Sequence, residues 1–122
     1  MIEQAEKLLS VLQTMKDNEL AKTASLAHEL DRFEARRREL SMAMAQRTEG
    51  ERPPADMAAS DRWLRWCGQE RERIGVEMSR LAAQLEEQKQ RARSALARFD
   101  ALESLVRKQA HSAKRLQRLK QF

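Results

Sequence analysis

The chain holds one cysteine, two prolines, three glycines and no tyrosine among 122 residues. A lone cysteine, Cys67, cannot close a disulfide within the chain, which excludes a fold stapled by cystine bridges. It reads as a small, half-buried helix residue. The shortage of glycine and proline excludes a β-rich domain, whose turns draw on those residues. No segment approaches the ~20 consecutive apolar residues needed to cross a bilayer. The N-terminal stretch MIEQAEKLL carries acids where a secretory signal would place a basic patch and then an apolar run. The expectation is a cytosolic chain.

What is present is charge and helix-forming apolar residues. Charged residues make up 35% and hydrophobic ones 41%, with only 4% aromatic. A chain of this length is expected to form one small domain, and a balance dominated by Ala, Glu, Lys, Leu and Arg is that of a coiled coil. The helix breakers cluster once, as Gly50, Pro53 and Pro54 in TEGERPPAD, residues 48–56. Before that break, Ala5, Leu9, Leu12, Lys16, Glu19, Thr23, Leu26, Leu30, Phe33, Arg37, Leu40 and Met44 alternate steps of three and four, as does Ile2. After it, the same spacing runs from Ile74, Met78, Leu81 and Leu85 through Gln88, Ala92, Ala95, Phe99, Leu102 and Val106. It continues to Gln109, Ala113, Leu116 and Lys120. These are two heptad seams, the first polar at its middle.

The pattern predicts an all-α fold, a two-helix antiparallel coiled-coil hairpin formed by residues 1–122 as one unit. Helix 1 is expected at about 2–47, a turn at about 48–58 and helix 2 at about 60–120, with Ser60 or Asp56 as N-cap. At 1.5 Å per residue the helices would be about 70 and 90 Å long. Folding the chain near residue 55 sets residue 1 opposite about residue 110. Residues 111–122 then form a protruding basic helix end. A parallel homodimer of extended chains is the alternative; Gly50 and the double proline favour the turn.

Charge is uneven. Residues 1–52 hold 9 basic and 10 acidic side chains, and the rest hold 15 and 9. Glu103 is the last acid, and Arg107, Lys108, Lys114, Arg115, Arg118 and Lys120 follow it. A stretch of this kind favours acidic partners, or else is a solvated helix end whose cations suit the C-terminal dipole. Leu116 and Leu119, with nothing of their own chain to cover them, point to a partner's groove.

Constellations for chemistry are missing. His28 and His111 have no second ligand at metal spacing, and the glycines are too far apart for a phosphate-cradling loop. Neither a small-molecule substrate nor a cofactor is expected, and the chain does not read as an enzyme. Arg36, Arg37 and Arg38 are consecutive, hence about 100° apart, and form no single patch. The basic C-terminal stretch lacks aromatics for base stacking apart from Phe122, which argues against nucleic acid. Trp63 and Trp66 are three residues apart; they either pack over the turn or anchor a partner, with Met42, Met44 and Met57 nearby in sequence.

The order of segments resembles a known family. LLxVLxxMKxxEL from Leu8 to Leu20 is followed by the break, SDRWLRW from Ser60 to Trp66, and ARFDALESLVRK from Ala97 to Lys108. The pattern is similar to that of the FliJ family, the small coiled-coil component of flagellar type III protein export, and its injectisome counterparts. The resemblance implies a non-enzymatic, stalk-like coiled coil that couples a hexameric export ATPase to the cytoplasmic domain of the export gate and escorts export chaperones. It implies an ATPase contact at Arg115, Leu116, Arg118, Leu119 and Lys120, and a gate contact at Met42, Trp63 and Trp66. The location it implies is the cytoplasmic face of the inner membrane, reached through those partners. A generic coiled-coil scaffold and, behind it, a basic nucleic-acid or membrane-surface binder are the alternatives.

Overall fold

The computed structural model describes residues 2–48 and 54–121, with the side chains of Ile2, Thr48, Pro54, Ala55 and Asp56 outside the description. Two helices, α1 (Ile2–Thr48) and α2 (Pro54–Lys120), account for nearly all of them, and no strand occurs among the described residues. The fold class is all-α, two long helices packed against each other as in a hairpin.

The second helix starts earlier than its sequence suggests. Pro54 opens α2, because the first helical position has no use for the N–H that proline lacks and already wants its fixed φ. Residues 54–58 of the expected turn are therefore helical, and residues 49–53 lie outside the described residues. Ser60 and Asp56 both sit inside α2, so neither is its N-cap; Ser60 is buried.

The chain divides into two compact units. One, Ser25–Glu86, joins the C-terminal half of α1 to the N-terminal half of α2. Its core is Leu40, Cys67 and Ile74, with Phe33, Met44, Trp63 and Met78 packed around them. Leu81 and Leu85 extend the buried line. Cys67 has no exposed surface at all, deeper than a half-buried position. The two segments run antiparallel. Arg47 lies over Trp63, Arg71 reaches Met44, and the Glu29 carboxylate acts on Arg80. As α1 is traced backwards, α2 advances.

The other unit joins Met1–Ala24 to Glu87–Phe122. Ala92 and Phe99 are buried, and Leu9, Leu12, Leu102 and Val106 are half-buried. Its seam contains polar layers. Gln88 is buried, and its amide donates to the Glu19 backbone carbonyl at 3.1 Å and to the Glu19 carboxylate. A buried amide left unpaired would cost about 1–3 kcal/mol, so this pair favours one register over its neighbours. Lys16, also in the seam, holds its ammonium 4.1 Å from the Phe99 ring centroid and lays its stem along the apolar face. These contacts again pair a descending α1 with an ascending α2.

The heptad reading holds over most of both helices. From Ala5 to Met44 every seam position of α1 is at least partly buried except Arg37, and from Ile74 to Val106 every seam position of α2 is. Two weak points remain inside α2. A Cβ built at Gly68 or Gly75 meets nothing within 4 Å, so neither glycine is there to make room for a neighbour. Gly68→Ala and Gly75→Ala should each stabilise the fold by about 0.5–1 kcal/mol, raising the thermal midpoint. Leu81→Ala, at a side chain 2% exposed, should cost about 3 kcal/mol. Thermal unfolding by circular dichroism checks both signs.

Candidate partner-binding surfaces

Burial in α2 stops abruptly. Val106 is half-buried, and every residue from Arg107 to Gln121 is exposed although helical, apart from a final turn at Gln121. The later seam positions Gln109, Ala113, Leu116 and Lys120 are thus solvated, with Leu116 and Leu119 60% and 70% exposed. Lys114 and Arg118 fall about 160° around the helix from Leu116, whereas Arg115 and Lys120 flank the Leu116 and Leu119 strip on either side. The Arg107 guanidinium pairs with Glu103 one turn back. Lys108, Lys114, Arg115, Arg118 and Lys120 have no ion-pair partner among the described residues. Phe122 lies outside them.

Alongside the seam, α1 carries a second apolar line that the heptad reading passed over. Leu8, Val11 and Met15 are about half exposed and share a face adjacent to Leu9 and Leu12. Their spacing of three and four was legible, but it is the same spacing as the seam one position over, and the stronger pattern absorbed it.

In the Ser25–Glu86 unit the two tryptophans have different environments. Trp63 packs on the core cluster and carries the Arg47 guanidinium 4.8 Å from its ring centroid. Arg47 Nε is shielded there without a hydrogen-bond partner among the described residues, a cost partly offset by the cation–π contact. Trp66 is 47% exposed, and Met42 is 63% exposed on the side of α1 facing away from Leu40. Of the three expected gate residues, then, Trp66 and Met42 are exposed and Trp63 is partly buried against the core. Met57 is also exposed and Met44 packs inward.

Part of the surface charge is locally matched. Arg38 pairs with Glu34 at 2.8 Å, Arg73 with Glu70 at 2.8 Å and Arg80 with Glu77 at 2.6 Å. The Glu77 hydrogen bond, and then its charge, raise the Arg80 pKa above its already high ordinary value, with a further contribution from Glu29. Arg80 remains a cation at any working pH, so these exposed pairs add little to stability. No group of three or more His, Cys, Asp or Glu that could hold a metal occurs among the described residues. No helix among them is long and apolar enough to cross a membrane.

Comparison with known proteins finds no matching family model, and neither a curated protein nor a solved structure is significantly similar to the chain.

The different environments of the two tryptophans are separable by mutation. Trp63→Ala should lower unfolding free energy by about 2 kcal/mol through lost packing, whereas Trp66→Ala should stay within about 0.5 kcal/mol of the parent. Denaturant titration of the two single variants measures the difference.

Proposed function

We propose that the chain is a non-enzymatic component of a bacterial type III protein export apparatus, a stalk-like coiled coil that couples the export ATPase ring to the export gate and escorts export chaperones. The observation that carries this reading is the exposed stretch Arg107–Gln121, a helix on which Arg115 and Lys120 flank Leu116 and Leu119 while Lys114 and Arg118 lie on the opposite side. A helix with this division suits a partner groove that has an apolar floor and acidic walls. The order of the Leu8–Leu20, Ser60–Trp66 and Ala97–Lys108 segments, similar to that of the FliJ family, supports the choice of partner.

On this reading Arg115, Leu116, Arg118, Leu119 and Lys120 enter the ATPase ring. Met42 and Trp66 supply apolar surface to the gate, with Trp63 holding the helix beneath Trp66 in place. The protein acts mechanically and as an adaptor, at the cytoplasmic face of the membrane through its partners. A generic scaffold is the second reading, favoured by one observation: the exposed Leu8, Val11 and Met15 line suits a further helix of any origin.

Charge reversal separates the two. Arg115→Glu with Arg118→Glu and Lys120→Glu should abolish co-sedimentation with the assembled export ATPase while leaving helicity unchanged, because all three side chains are solvated. Undiminished association would remove the ring contact from the account.

A further inference from the structure

We infer that Arg37 and Arg71 form a binding site for carboxylate side chains of a protein partner. Both occupy seam positions where a coiled coil wants an apolar residue. Arg37 lies between Phe33 and Leu40 in the four-then-three spacing of α1, and Arg71 lies between Cys67 and Ile74 in the same spacing of α2. Their seam neighbours are core or packed against it, yet both arginines are exposed. The seam opens here into a groove of about 500 Å³ lined by Arg37, Gly68, Arg71 and Glu72. Gly68 contributes no side chain to fill it, and a Cβ there would meet nothing within 4 Å.

Neither guanidinium is neutralised. Arg38, Arg73 and Arg80 have carboxylate partners, but no ion pair engages Arg37 or Arg71 among the described residues, Glu72 included. Among the described residues, the polar contact of Arg71 is a 4.0 Å approach of Nη1 to Met44 Sδ, a weak acceptor. Two unpaired guanidinium forks beside one groove are matched to carboxylates, which they bind in bidentate geometry. A long polyanion fits less well. Residues 25–86 hold 11 basic and 12 acidic side chains, so no extended positive field surrounds the pair, and Glu72 stands at its rim. The site is independent of the C-terminal cations and of the ATPase reading.

The test uses the full chain with Lys108→Gln, Lys114→Gln, Arg115→Gln, Arg118→Gln and Lys120→Gln, which removes the unpaired cations of the C-terminal stretch, isotope-labelled at arginine nitrogen. The probe is a synthetic helical peptide bearing glutamate at every third or fourth position; inorganic phosphate and single-stranded DNA are the comparators. The peptide should shift the Nε–H resonances of Arg37 and Arg71 more than those of Arg36 and Arg38. Arg37→Gln with Arg71→Gln should weaken peptide binding about tenfold or more, and the paired lysine variant should recover only part of it. Shifts spread evenly over the arginines, unchanged affinity in the glutamine variant, or larger shifts with DNA or phosphate would overturn the assignment. The resonance measurement needs neither seam variant, so it decides the question even if one of them fails to fold.

Discussion

Two helices share one face, and everything else on them stays wet. That constraint governs this protein. Each unit can bury only a single line of side chains from each helix, so the identity of the residue at each seam position decides local stability with no second layer to compensate. Leu40, Cys67 and Ile74, with Leu81 and Leu85 further along α2, supply the apolar stretch of one unit. Ala92 and Phe99 supply less in the other, and there the polar layers of Gln88, Glu19 and Lys16 trade burial for a defined register. Surface ion pairs between residues one turn apart add solubility more than free energy.

The same constraint explains why the functional candidates lie where they do. A seam this narrow encloses little interior, so the surfaces open to a partner are those the pairing leaves exposed. Three kinds of surface result. One is helix beyond the last half-buried seam residue, Val106; another is apolar side chains just off the seam, such as Leu8, Val11, Met15 and Trp66. The third is seam positions given to charge, Arg37 and Arg71. Trp63 is the converse case, an aromatic partly buried against the core cluster and covered by Arg47.

Much of the fold was legible because a heptad pattern is a direct record of which side faces the partner helix. The steps from Ala5 to Met44 and from Ile74 to Val106 mark positions that are buried or partly buried, with Arg37 the exception. The seam upstream of Ile74 is not legible in the sequence, since Arg71 takes a seam position and Gly68 lies beside Cys67, yet Cys67 and Ser60 are buried. The start of α2 was placed late because a double proline reads as a break, although its second member is a favoured first residue of a helix. Function was less legible. A basic stretch is visible in sequence, but whether it is solvated depends on where pairing ends. Likewise the spacing of Trp63 and Trp66 is silent on which of them the core takes.

Solution mass is the most direct test of the account, because its central claim is that the two seams satisfy each other within one chain. Light scattering on the purified protein should give a monomer of 14.2 kDa across a wide concentration range. A mass of twice that, unchanged on dilution, with small-angle scattering showing a particle well beyond the ~100 Å that α2 alone spans, would mean that α1 and α2 find their partners in a second copy, and the intramolecular pairing would have to be abandoned.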